Sequence, residues 1–119
     1  MANIQNGSSE LEAVKALHKA LDAKFAENIV VLDLQGVTPI ADYFVIATGG
    51  SAPQLAALAE TTEETMAKQA MHLIHREGVQ SSNWMLLDFG SVVVHLFDRT
   101  SRDFYNLERT WGDGKILAF

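Results

Sequence analysis

Two sets of residues in this chain have types and spacings that suit chemistry. The first is the turn Gly49-Gly50-Ser51, which precedes a helical pattern. Backbone N–H groups at a helix N-terminus bind anions, and small residues let a phosphate approach. The turn has neither the lysine of a P-loop nor the spacing of a dinucleotide fingerprint. Capping of the following helix by Ser51 is therefore the simpler account. The second set is the four histidines. His72 and His75 stand at i, i+3, a spacing that can share a metal on one helical face. No third ligand accompanies them, and they fall where a helix is expected to end, so a C-terminal dipole role is simpler. His18 borders an apolar helical stripe. His95 lies within VVVHLF on the parity of Val93 and Phe97, where a sheet histidine is expected to find hydrogen-bond partners. A Ser51–His95–Asp88 triad can be drawn, but Ser51 is not in a G-x-S-x-G elbow and the triad carries no weight. The chain has no cysteine, which removes disulfides, thiolate nucleophiles and cysteine metal sites.

The Gly-Ser turn also resembles that of nucleotidyltransferases, whose metal chemistry needs several carboxylate oxygens converging from neighbouring strand positions. No Asp-x-Asp occurs here. Asp33 and Asp88 belong to separate strands that nothing in the sequence brings together. A nucleotide-binding or nucleotidyl-transferring enzyme is thus the second reading.

The elements that must position these residues follow from periodicity. Residues 1–7 read as a polar lead-in. Ser9 and Glu12 make a capping box, followed by the stripe Leu11, Val14, Leu17, Leu21 and Phe25. IVVLDL, residues 29–34, is aliphatic on both parities and reads as a strand covered on both faces. Gly36 to Pro39 interrupts the pattern, and YFVIAT is the second buried strand. Ser51 and Gln54 form another capping box, with Pro53 tolerated in the first turn. Leu55, Leu58, Ala59, Thr62 and Met66 mark the inner face of a helix running to about His72. Residues 75–83 read as a loop. Trp84 to Asp88 and Val92 to Phe97 read as a hairpin turning at Phe89-Gly90. Thr100 or Ser101 is expected to cap a last helix, with Asp103 in its first turn and Phe104, Leu107 and Trp111 as its stripe. Gly112 stops it.

The length of 119 residues fits one domain. Hydrophobic residues at 48% and charged residues at 20% are ordinary for a globular protein. Nine Lys+Arg against fifteen Asp+Glu give a net charge of -6. That field repels phosphate backbones and suits a basic protein partner. No apolar run approaches membrane-spanning length, and MANIQNGSSE lacks the features of a secretory signal. The order helix, strand, strand, helix, strand, strand, helix predicts an α+β domain: a small mixed sheet with α/β-type layers, flanked by helices on both sides.

Three segments, taken in order, carry a family resemblance. They are ENIVVLDLQGVTPIADYFVIATGGS, the REG of residues 76–78, and SNWMLLDFGSVVVHLFDRTSRDFYNLERTW. Together they resemble the ribosomal silencing factor, or Iojap, family over about residues 20–111. The turn Gly49-Gly50-Ser51 departs slightly, because Asn or Thr often precedes that serine in the family. The resemblance implies a nucleotidyltransferase-like fold without the catalytic carboxylates, in agreement with the missing Asp-x-Asp. It implies a cytoplasmic, non-enzymatic repressor of translation that binds the fourteenth protein of the large ribosomal subunit and blocks joining of the small subunit. A related reading is a large-subunit assembly factor. The family implies a homodimer when free, with little direct RNA contact, no DNA, no membrane and no cofactor. Residues 8–111 would form the domain and residues 112–119 a tail.

The pattern of residues supports an interface of this kind. Six aromatics, Trp84, Phe89, Phe97, Phe104, Tyr105 and Trp111, fall within 28 residues. Aromatic side chains anchor interfaces when exposed. Phe104 and Trp111 share the helical stripe and are expected in the core, whereas Trp84 opens a strand beside a polar run. Asp88 and Glu108 are candidate acidic contacts. The positions expected to meet the partner are Trp84, Asp88, Phe89, His95, Phe97, Tyr105 and Glu108; no catalytic or metal-binding residue is expected.

Overall fold

The computed structural model describes residues 2–78 and 83–119, with the backbone alone at residues 2–8, 104, 105, 107 and 108. The elements run α1 (Ala2–Ala23), β1 (Glu27–Asp33), β2 (Tyr43–Thr48), α2 (Ala52–Lys68), β3 (His75–Glu77), β4 (Trp84–Asp88), β5 (Val92–Phe97), α3 (Arg99–Tyr105), α4 (Leu107–Thr110) and β6 (Lys115–Leu117). The six strands form one mixed sheet in the order β3-β4-β5-β2-β1-β6. Only the central pair β2 and β5 is parallel. Every residue of these two strands is buried, as their unbroken apolar runs require.

The two faces of the sheet are covered unequally. On one, α1 and α2 bury Val14, Leu17, Leu21, Leu55, Leu58 and Met66 against Val45, Ala47, Val94 and Leu96. On the other, Leu32, Leu34, Phe44, Ile46, Val93 and Phe97 form a second cluster. Among the described residues, α1 and α2 contribute nothing to this cluster. Val30, Trp84, Leu86 and Trp111 pack against it while only partly buried. The expected mixed sheet with helical layers is present, and both strands of the Trp84–Phe97 hairpin have the expected bounds.

Several local expectations are corrected. The helix α1 starts at Ala2, so Ser9 lies inside it and caps nothing. Phe25 lies beyond the end of α1 with φ 64°, which turns its ring out to 82% exposure. Ala26 and Ile29 reach the core instead. The second helix stops at Lys68, before His72, in a Schellman motif. Met71 N–H donates to Met66 O and Ala70 N–H to Ala67 O, with Ala70 at φ 60°. Alanine at that left-handed position hides the stop from a sequence reading that looks for glycine. The loop expected over residues 75–83 contains β3, an edge strand paired with β4. Its Glu77 is followed by Gly78 at φ 90°, where a Cβ would collide with the Trp84 carbonyl.

The C-terminal third differs most. Asp98, not Thr100 or Ser101, caps α3: its Oδ1 accepts from Ser101 N–H at 2.7 Å. The helix therefore starts at Arg99 and Asp103 falls outside its first turn. Asn106 takes a left-handed conformation (φ 47°) and ends α3, so Phe104, Leu107 and Trp111 do not share one helix. Beyond Gly112 the tail forms β6, which pairs antiparallel with β1 from Asp33↔Lys115 to Val31↔Leu117.

Candidate functional site

The face not covered by α1 and α2 carries a row of aromatic rings. Trp84 on β4 stands opposite Phe97 on β5, and their rings stack with centroids 6.4 Å apart. Phe97 and His95 are two residues apart on the same strand and their rings lie parallel at 6.3 Å. His95 meets Phe44 of β2 at 4.7 Å, and Phe44 meets Trp111 edge-on at 5.6 Å. The row thus crosses the sheet from Trp84 to Trp111. Its ends are partly exposed and its middle is covered. Strand alternation places these residues on one side, because β5 sends Val93, His95 and Phe97 one way and Val92, Val94 and Leu96 the other.

His95 is the polar member of the row. It is 6% exposed, and neither ring nitrogen has a hydrogen-bond partner. Burial pushes its pKa down to about 4, so the ring is neutral near pH 7. The expected satisfied sheet histidine is therefore an unsatisfied one. Phe97 is 1% exposed. Phe89 is 5% exposed and belongs to the helix-covered cluster. Asp88 is partly buried at the end of β4, and its Oδ1 accepts from Gly90 N–H at 2.8 Å. That bond holds the hairpin turn with Gly90 at φ 88°. The side chains of Tyr105 and Glu108 lie outside the described residues. Phe44 and Leu86 were not singled out in the sequence, although the alternation of Phe44 with Ile46 places both on this face.

The Gly-Ser turn is occupied by its own structure. Ser51 Oγ accepts from Gln54 N–H at 3.2 Å, as a capping box requires. Gln54 completes the box one residue early, accepting from Gly50 N–H at 2.6 Å, and its amide donates to Phe25 O at 3.0 Å. A Cβ on Gly49 would lie 2.9 Å from Leu55 Cδ2. Beside the turn, Arg99 binds both carboxylate oxygens of Glu27, at 2.8 and 2.5 Å. This pair lowers the pKa of Glu27 and raises that of Arg99, mainly through the direct hydrogen bonds. Arg102 is buried and donates to Thr48 Oγ1 at 2.8 Å.

The other chemical candidates do not converge. Asp33 is on β1 and Asp88 on β4, with β2 and β5 between them. Three strand spacings put their backbones about 14 Å apart across the sheet. His75 sits in β3 with Nε2 2.9 Å from Glu77 Oε2, and His72 precedes that strand, so the two share no helical face. His18 meets Phe119 edge-on at 5.5 Å. No helix among the described residues is long and apolar enough to cross a membrane.

A small mixed sheet of this order occurs in known proteins. A crystal structure of a Chromobacterium violaceum protein superposes with a TM-score of 0.81 at 32% identity, covering 92% of this chain and 90% of the other. A Bacillus halodurans protein gives 0.78 at 32% identity, covering 92% of this chain and 99% of that one. The family model described as "Ribosomal silencing factor during starvation" matches residues 7–117. The family match and the shared fold place the chain in the class of ribosomal silencing factors. Ribosomal silencing factor RsfS of Halalkalibacterium halodurans is 38% identical over 92% of this chain and 93% of its own length. RsfS of Bacillus subtilis is 38% identical over 87% of both chains. This chain belongs to the ribosomal silencing factor family.

Proposed function

We propose that the protein represses translation by docking on the large ribosomal subunit through its fourteenth protein and occluding the surface that the small subunit must meet. The mechanism is steric, so no bond is made or broken and no cofactor takes part. The observation that carries this reading is the aromatic row on the sheet face opposite α1 and α2, which is buried along its middle and leaves Trp84 partly exposed at its end. A partly exposed tryptophan beside apolar side chains is the composition of an interface centre. The net charge of -6 favours a basic protein partner over RNA. Family membership supplies the ribosome as the setting. The proposal places the protein in the cytoplasm, as a homodimer when free that docks on the ribosome with little direct contact to RNA.

The test uses purified separated subunits. Protein is added in excess, Mg²⁺ is raised to drive joining, and the mixture is resolved on a gradient. Separate subunit peaks, with the protein travelling in the large-subunit peak, are expected. Normal joining at saturating protein overturns the proposal.

A further inference from the structure

The sheet ends in two edges of opposite character. At one, β3 carries His75, Arg76 and Glu77, all exposed. Arg76 pairs with Glu63 of α2, and His75 with Glu77. Charged side chains on an edge strand discourage pairing with another chain. At the other edge, β6 pairs with β1 on its inner side, and among the described residues no strand pairs with its outer side. Its sequence, Lys115-Ile116-Leu117, carries one charge, and Lys115 stands opposite Asp33 of β1. Ile116 is 66% exposed although it sits opposite Leu32, which is buried in the second core cluster. On the α1 side of the sheet, Leu117, Ala118 and Phe119 line a groove of about 560 Å³ with Leu11 and Lys15 of α1. Phe119 is itself 48% exposed. This edge therefore offers backbone groups for a further strand and uncovered apolar side chains on each face.

We infer that β6 is the contact between two copies of this chain, paired antiparallel about a two-fold axis at Ile116 so that their sheets join into one. This rests on the homodimer proposed above and gives it a surface. A second copy fits the edge for three reasons. Antiparallel pairing about a two-fold axis is self-complementary. Ile116 then lies opposite its own counterpart, where cross-strand side chains stand about 5 Å apart and cover each other. Charge is the second reason. A net charge of -6 opposes self-association, but the acidic excess lies elsewhere. Glu60, Glu63 and Glu64 line the outer side of α2, whereas this edge carries Lys115 opposite Asp33, and Lys15 over the Phe119 ring at 5.9 Å. The third reason is closure. Pairing β6 with β3 of another copy would leave an open edge at each end and build a filament, and the charges of β3 disfavour it. Pairing β6 with β6 consumes both apolar edges and stops at two. Strand β4, which carries Trp84, is separated from β6 by β5, β2 and β1, so this contact and the docking end of the aromatic row are distinct.

Sedimentation equilibrium over a range of concentrations tests the pairing. The parent should show a reversible monomer–dimer equilibrium in about the micromolar range, as expected for a small interface. Ile116→Lys and Ile116→Glu each set like charges opposite each other at the axis. Either variant alone should dimerise about tenfold or more weakly. Its melting temperature, measured where the parent is monomeric, and its co-sedimentation with large subunits should match the parent. Mixing the two variants should restore a mixed dimer, because lysine then faces glutamate. A residue remote from the axis gives no such rescue. A parent-like dimer in both variants overturns the inference and leaves the homodimer to another surface. Failure of the mixture to form dimers overturns the two-fold pairing at Ile116. Should a charged variant fail to fold, Ile116→Thr replaces it: a weakened dimer is expected, and an unchanged one overturns the inference. A parent that stays monomeric at every concentration overturns both this contact and the homodimer, and co-sedimentation of that monomer with large subunits then judges the docking proposal separately.

Discussion

Trp84 lies directly across the β4–β5 ladder from Phe97, and the two rings stack at 6.4 Å with their planes 23° apart. Phe97 is fully covered and Trp84 is only partly buried, so the indole has an inner face committed to the fold and an outer part that solvent reaches. Trp84→Ala is therefore expected to act on both properties. Full core truncation of a tryptophan costs about 3–5 kcal/mol. A partly buried one should cost less than that, leaving the variant folded at room temperature. Loss of an interface anchor costs about 2 kcal/mol or more in binding. Urea unfolding and titration against isolated large subunits measure the two terms. Parent-like binding by the folded variant would remove Trp84 from the docking face.

Ser51 and Gln54 illustrate the opposite case, a suggestive turn whose polar groups are already used. Ser51→Ala should lower stability by about 1 kcal/mol, the usual cost of an N-cap. Binding at a temperature where the variant is folded should match the parent. A melting temperature that does not move, combined with lost binding, would show that this turn touches the partner.

The centre of the fold was legible because its signals are local and redundant. YFVIAT and VVVHLF are buried on both faces, and the structure uses all of each as the central strands. Elements set by one special backbone angle were harder to read. Ala70 and Asn106 adopt left-handed conformations without being glycine, so the ends of α2 and α3 carry no obvious mark. β3 and β6 are three residues each and exist through pairing with β4 and β1, information that no short window contains. For the site, alternation along β5 placed His95 and Phe97 on one face. The partnerless state of His95 and the covering of Phe89 by the opposite layer depend on which helices pack where, and the sequence does not specify that.

β6 leads to a prediction about the sheet edge. Ending the chain at Trp111 would remove the ladder that covers β1 and the contact of Leu117 with the helix-covered core. Burial of one partly covered leucine alone is worth about 1 kcal/mol. An uncovered edge also invites pairing between molecules. The truncated protein should unfold at lower urea and scatter more light at high concentration. A midpoint equal to that of the parent would show that β6 contributes nothing to the domain.

The electrostatic part of docking is testable at Asp88, with one precaution that the structure dictates. Its carboxylate caps the hairpin turn through Gly90 N–H, so Asp88→Asn, which keeps an acceptor oxygen, is the control for Asp88→Lys. If acidic residues steer this protein to a basic partner, Asp88→Lys should slow association and flatten its dependence on salt, beyond the change in Asp88→Asn. The expected readout is the association rate at several ionic strengths. Rates insensitive to salt in all three proteins would contradict steering.

His95 also predicts how stability changes with pH. In the folded chain its pKa is about 4, below the usual imidazole value of 6.5, because burial penalises the charged ring. Below pH 6.5 the unfolded chain takes up a proton at this site that the folded chain does not, so unfolding binds protons and stability falls as pH falls. The loss begins near pH 6.5, grows to roughly 3 kcal/mol by pH 4, and levels off once the folded ring is protonated too. Above pH 7 this site contributes no slope. Carboxylates with lowered pKa, such as Glu27 beside Arg99, add their own loss at lower pH, so the parent curve is a sum. His95→Phe isolates the histidine part, because it lacks the titrating group and keeps the ring. Urea midpoints between pH 8 and pH 5 should decline in the parent and stay nearly flat in His95→Phe, with the two curves diverging as the pH drops below about 6.5. Parallel curves across that window would mean that the ring gains a proton in the folded state as readily as in the unfolded one. The imidazole would then have to be in contact with solvent rather than sealed within the aromatic row.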